Sequence, residues 1–359
     1  MSEAGELIVS RDGGLGRLTL NRPEALGALT TGMCVGMIAA LQAWRDEPGV
    51  EAVLIDHAGD RGFCAGGDIR TLAESAAGDG IAALAFFHTE YRLDHLISVY
   101  PKPVITVMDG TVMGGGVGIS LPARYRVATE RTRFAMPETG IGLFPDVGAG
   151  WFLPKLHGRS GLWLALTGAR LGPADCELLG LATDVVPSAL LPELKTELAR
   201  EPAALERVLT ELEADPGHAP VADHRDAIDR LFRGDSVEAI LAALEADGSA
   251  WARAQAEAMR PKSPLSAKIA FRLIAGGLAP DSLAADLATE YRLAARLALA
   301  PDFREGVRAV IVDKDNAPAW RPASLAEVSD ALVDEMFAPL PAGEEWTPLP
   351  GLAAAKELG

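Results

Sequence analysis

Short apolar runs and longer amphipathic stretches take turns along the first two hundred residues. "GELIVS" (5–10), "GRLTLNRP" (16–23), "EAVLIDHAG" (51–59) and "KPVITVMDG" (102–110) read as strands. Thr31 to Trp44 and Ile81 to Val99 carry helical spacing. This is an α/β pattern. From about Pro202 the strand-like runs nearly vanish, and Ala/Leu/Glu/Arg helices follow one another, broken at "DPGHAP" (215–220), "RPKSP" (260–264) and "GGLAPDS" (276–282). The second part is therefore expected to be helical, and the Pro-rich "APLPAGEEWTPLPG" (338–351) to run extended over the surface. "EYRL" occurs at 90–93 and 290–293 with no similarity around it, which reads as coincidence rather than a repeat.

Composition narrows the function. The chain has 359 residues, enough for one large domain or a core with an appended segment. With 50 acidic against 33 basic residues the net charge is −17, which disfavours nucleic acid and anionic membrane as partners, so an anionic ligand needs a local basic patch or backbone dipoles. No apolar run is long enough to span a bilayer. The first residues, "MSEAGELIVSRDGG", lack a basic segment followed by an apolar one, so a cytoplasmic location is expected. Cys34, Cys64 and Cys176 stand far apart, indicating neither a disulfide framework nor a zinc site, and no metal or other cofactor is expected. Nucleophile-elbow, phosphate-loop and dinucleotide signatures are missing from the sequence.

Two glycine-rich turns follow strand ends, where α/β proteins place ligands: "GFCAGGDIR" (62–70) and "DGTVMGGGVGIS" (109–120). Glycine lets backbone N–H groups approach and face a developing negative charge, and two donors on one oxygen make an oxyanion hole. The plainer reading is two tight turns. Downstream, "AMPETGIGLFPDVGAGW" (135–151) sets Glu138 and Asp146 among apolar residues. Carboxylates there are paired, capping a helix or turn, or functional.

Taken together, "FCAGGDI", "MGGGVG" and "MPETGIGLFPDVGAGWFLPKL" resemble the crotonase (enoyl-CoA hydratase/isomerase) superfamily, and more narrowly its 3-hydroxyisobutyryl-CoA hydrolase branch. The likeness extends through "LNRPEALGALT" (20–30), "FFHTEYRLDHLI" (86–97), "KSPLSAKIAFRLI" (262–274) and "DFREGVRAVIVDKDNAPAWRPASL" (302–325). The resemblance implies a crotonase-type spiral of β-β-α units over residues 1–200, the acyl-CoA-binding catalytic core, and a helical region, 201–359, that covers the site or mediates assembly. Backbone N–H groups of Gly67 and Gly115 would hold the thioester oxygen. Glu138 matches the glutamate shared by hydratases and this hydrolase branch, Asp146 the branch's second acid, and Glu90 a substrate-contacting glutamate. Where a hydratase carries its other catalytic glutamate, this chain has Gly118.

The expected activity is hydrolysis of a short 3-hydroxyacyl-CoA, such as 3-hydroxyisobutyryl-CoA from valine breakdown, with 3-hydroxypropionyl-CoA equally sensible. Glu138 would be general base for water, or nucleophile through a mixed anhydride, with Asp146 orienting the water or the substrate hydroxyl. Coenzyme A enters only as part of the substrate, and Arg22, Lys262 or Lys268 could meet its phosphates. The alternatives are an enoyl-CoA hydratase or isomerase and a non-catalytic acyl-CoA-binding protein; a homo-oligomer is left open. Asp68 is read as a helix cap, and Cys64 as a small packed residue.

Overall fold

A computed structural model describes residues 5–352. Strands β1 (Leu7–Asp12) and β2 (Leu15–Leu20) pair as an antiparallel hairpin, with Leu7 opposite Leu20. After helix α1 (Thr31–Arg45), whose N-terminus is capped by Thr30 accepting from the Met33 N–H, the chain enters a repeating course. β3 (Ala52–His57), β5 (Val104–Met108), β7 (Tyr125–Ala128) and β9 (Asp184–Val185) extend the hairpin into a six-stranded sheet, each pairing in parallel. β4 (Gly62–Cys64), β6 (Thr111–Met113) and β8 (Arg133–Ala135) build a second, three-stranded parallel sheet. Each circuit thus leaves one strand in each sheet before a helix returns the chain. The result is the expected spiral of β-β-α units. The four long strands and two long helices follow the sequence pattern within a few residues; β4, β6 and β8 have three residues each, too few for a period to show.

The parallel strands read as unbroken apolar runs because both faces are covered. Val53, Ile55, Val104 and Met108 point into the main core, and the alternate residues Leu54, Ile105 and Val107 meet a smaller one. That smaller core is closed by Leu191, Leu194 and Leu198 of the helix Leu191–Arg200 and by Leu205, Val208 and Leu209 of the helix Leu205–Leu212. The change of pattern near residue 200 therefore falls inside a helical pair belonging to the sheet. The main core is continuous from Leu18 to Leu352, taking in the helices beyond residue 220. Among the described residues, no helix is long and apolar enough to cross a membrane.

Helices α2 (Ile69–Ala76), α3 (Ile81–Ser98) and the short α4 (Gly115–Gly118) flank the second sheet. Asp68 caps α2, accepting from the Thr71 N–H, and pairs with Arg22. Residues 338–352 run without helix or strand, as expected, but not loosely. Trp346 and Leu352 are buried.

Candidate active site

Gly67, Glu90, Gly115, Glu138 and Asp146, expected from four separate stretches of sequence, line one cavity of about 60 Å³. That is room for water beside the acids and far below an open ligand cleft of roughly 300–1,000 Å³. Gly66, Gly114, Phe86, Leu72 and Ile141 complete its wall.

The two glycine turns meet because β4 and β6 are neighbours. Gly66 and Gly114 both take positive φ, 109° and 47°, which turns the following peptides toward the cavity. The N–H groups of Gly67 and Gly115 donate to no other group among the described residues. Gly115 opens α4, so its amide also belongs to the positive end of that short helix. Glycine is required at 115 for space: a Cβ there would lie 2.1 Å from Glu90 Oε1, so the glutamate carboxylate occupies the room of the missing side chain.

Gly118 is equally confined. A Cβ would stand 2.8 Å from both Asp94 Oδ2 and Val147 Cβ. The position at which the resemblance would put a hydratase's other glutamate is filled by neighbouring side chains.

The acids are deeply buried. Glu90 is 2% exposed, Glu138 5% and Asp146 6%, and Asp94, one turn beyond Glu90 on α3, is fully buried. Glu90 is thus no surface salt-bridging residue, the ordinary expectation for a glutamate in a long helix. Burial first, and Asp146 second, raise the Glu138 carboxyl well above the usual range; Lys262 and backbone donors of Glu138 and Gly114 offset this in part. Burial pushes Asp146 to about 6, restrained chiefly by the Tyr91 hydroxyl, which donates to Asp146 Oδ2 at 2.8 Å. Glu90 and Asp94 are raised by burial and by the acids around them. Oxygens of Glu90, Asp94 and Glu138 have no hydrogen-bond partner, so the pocket combines unsatisfied carboxyls with free amides.

Sequence reasoning missed Tyr91 and Asp94, which share α3 with Glu90. The spacing 87, 90, 91, 94 marks one helix face, and that face is the only signal the sequence offers for them. Of the basic residues considered, Arg22 is paired with Glu6 and Asp68, and Lys268 with Glu238. Lys262 is near enough to Glu138 for the two charges to act on each other, and a Cβ on Gly140 would lie 3.2 Å from its Nζ. Cys64 is buried and its thiol pushed up to about 12, so it packs and does not attack.

Spiral fold, paired glycine turns and buried acids together define a family, and the match is direct: the enoyl-CoA hydratase/isomerase family model covers residues 15–337, and the chain belongs to that family. Within it, the chain is 44% identical over 350 residues to the mitochondrial 3-hydroxyisobutyryl-CoA hydrolase of Danio rerio, covering 94% of this chain and 91% of that enzyme. Two solved structures superpose nearly whole. A carnitinyl-CoA dehydratase from Mycobacterium thermoresistibile gives a TM-score of 0.91 at 40% identity, covering 96% of this chain and 98% of that one. An enoyl-CoA hydratase from Rhodobacter sphaeroides gives 0.89 at 38%, covering 96% and 100%. The expected cytoplasmic location is corrected by the hydrolase relative, which is mitochondrial by name. The physical reason is that a compartment is set by a receptor-read address and not by the fold or its composition, so an acidic first stretch does not decide it.

Proposed function

We propose that the protein hydrolyses the thioester of a short 3-hydroxyacyl-CoA, 3-hydroxyisobutyryl-CoA in the first place, releasing the free acid and coenzyme A, a step of valine breakdown. The observation that carries this reading is the pairing of Glu138 with Asp146 in one buried pocket with two free glycine amides, while Gly118 leaves no room for a second hydratase glutamate. The hydrolase relative favours the same activity. The dehydratase and hydratase structures carry the fold, and the position at which the resemblance puts a hydratase's other catalytic glutamate is glycine in this chain.

The amides of Gly67 and Gly115 receive the thioester oxygen, and as water attacks the carbonyl carbon they stabilise the growing oxyanion by roughly 2.7–4 kcal/mol per donor. Glu138, whose proton affinity burial raises, takes the water's proton, or attacks directly, expelling the thiolate and forming an anhydride that water then hydrolyses. Asp146, held by Tyr91 and ionised at neutral pH, orients the water or the 3-hydroxyl. Glu90, with Oε1 unpartnered against Gly115, accepts from the substrate. The carbon–sulfur bond then breaks, and the thiolate leaves with little help because an ordinary thiol pKa is near 8.5. The reaction consumes only water and the thioester.

The test is coenzyme A release, followed with a thiol-reactive dye, from 3-hydroxyisobutyryl-CoA. Glu138→Gln and Asp146→Asn are expected to lower kcat at least about 100-fold, the scale of a lost acid–base group. Hydration of crotonyl-CoA by the wild type in place of thiol release would overturn the reading in favour of a hydratase. Tight acyl-CoA binding without either reaction would point to a binding protein.

A further inference from the structure

Asp146 is held in an unfavourable turn. The next residue, Val147, is β-branched and buried yet has φ +56°, and Gly148 follows at +91°. Left-handed backbone at a β-branched residue is costly and persists only where the surroundings impose it. Those surroundings are supplied from 140 residues away. Glu290, fully buried on the helix Leu283–Leu297, accepts from the Gly148 N–H at Oε2 (2.7 Å) and from the Gly150 N–H at Oε1 (3.1 Å). Both carboxylate oxygens are therefore spent on the backbone just beyond Asp146. Asp286, one turn earlier on that helix and 1% exposed, bears on the same backbone: its Oδ1 lies 2.2 Å from where a Cβ on Gly150 would be, in the space the glycine leaves open.

The second "EYRL" thus stands opposite the first. Tyr91 and Tyr291 meet edge to face with ring centres 6.5 Å apart, Tyr91 donates to the Asp146 carboxylate, and Glu290 grips the backbone behind it. The Asp146 side chain is held from one copy of the tetrapeptide and the backbone at Gly148 and Gly150 from the other. Nothing in the proposed chemistry uses Glu290 itself, which does not line the cavity.

We infer that Glu290, braced by Asp286, is a positioning residue that fixes the Asp146–Val147–Gly148 turn in its strained conformation and so sets the aim of the Asp146 carboxylate. The inference rests on the hydrolase reading for its effect on turnover, and on geometry alone for the pinning. A carboxylate is needed because two N–H groups must be met by two acceptors; glutamine offers one acceptor and turns a donor toward the other amide.

The test is Glu290→Gln in the full chain, read by steady-state kinetics per folded enzyme and by hydrogen exchange of the segment 146–152. A displacement of about 1 Å at a reacting group costs up to roughly 100-fold in rate, so kcat is expected to fall ~10–100-fold with KM within about threefold. Exchange at Gly148 and Gly150 should accelerate while the six-stranded sheet stays protected. Leu244→Ala, a buried change in the helix Val237–Asp247 away from the turn, controls for general destabilisation and should leave kcat per folded enzyme near wild type. Wild-type kcat in Glu290→Gln, unchanged exchange at both glycines, or an equal loss in Leu244→Ala would each overturn the inference. If Glu290→Gln does not fold, Asp286→Asn and Asp286→Leu read the brace from the other side. Asparagine keeps an oxygen of the same shape against Gly150 and should keep the exchange slow, leucine should speed it, and equal exchange in the two would refute the bracing. A wild type without hydrolase activity would sink the proposed function while leaving the exchange result to decide the pinning.

Discussion

Tyr91→Phe removes one oxygen atom and should reveal what the Tyr91 hydroxyl does for Asp146. The hydroxyl donates to Asp146 Oδ2 at 2.8 Å inside a buried site, and it is the largest influence holding that carboxyl down, at about 6. A hydrogen bond to a charged group contributes about 1.5–3 kcal/mol, and at 1.36 kcal/mol per unit its loss raises the Asp146 pKa by ~1–2 units. The sign follows directly: the ionised form loses its donor, so a larger share of Asp146 is protonated at any given pH. If turnover needs the ionised form, a pKa moved from about 6 to ~7–8 lowers the rate at pH 7 by roughly 2- to 10-fold. Above pH 9 the deficit should disappear. The assay is kcat/KM for coenzyme A release between pH 5.5 and 9.5, expressed as the ratio of variant to wild type at each pH. Titration of Glu138, common to both proteins, largely cancels in that ratio. A ratio that stays flat across the range would mean that Tyr91 serves packing alone and that the charge on Asp146 does not matter.

Other perturbations have definite signs. Lys262→Met takes a cation from beside Glu138, so the base should hold its proton to higher pH and the acid limb of kcat/KM should move upward; an unmoved limb refutes the electrostatic role of Lys262. Gly115→Ala drives a methyl group into the Glu90 carboxylate and should abolish most turnover while circular dichroism stays native-like. Gly118→Ala forces Asp94 and Val147 apart at a cost of ~1–3 kcal/mol, read as a lowered Tm, and Gly118→Glu should confer no hydratase activity on crotonyl-CoA.

The sequence made the spiral legible because each long strand is a continuous apolar run and each glycine turn stands directly after one, as "VITVMDGTVMGGG" shows. Gly67, Gly115, Glu138 and Asp146 come from such turns and their neighbours, and the order of these motifs carried the family resemblance. The helical acids were harder. A glutamate or aspartate on a helix resembles a solvated one until the partner face is known, and α3 is covered by elements distant in sequence on both sides, the helices Thr31–Arg45 and Leu283–Leu297 among them. For that reason Asp94, Asp286 and Glu290 drew no notice, and the paired "EYRL" was set aside although its two copies pack together. Likewise Val147 carries no mark in the sequence of its left-handed backbone; that conformation is imposed by Glu290, a tertiary contact.

The segment after the last helix has a consequence for how the protein comes into being. Trp346 Nε1 donates to the His88 carbonyl at 3.2 Å, Arg92 donates to the Thr347 carbonyl at 2.9 Å, and Arg292 pairs with Glu345 at 3.0 Å. The helix bearing Glu90 and Tyr91 is thereby sealed by residues more than 250 positions further on. During synthesis from the N-terminus at about 5–20 residues per second, that helix emerges early and waits many seconds for its cover. Contacts so distant in sequence also slow folding, because a long loop must close before they form. The helix bearing Glu90 and Tyr91 is therefore left uncovered on this side until the segment 345–347 has been made and docked.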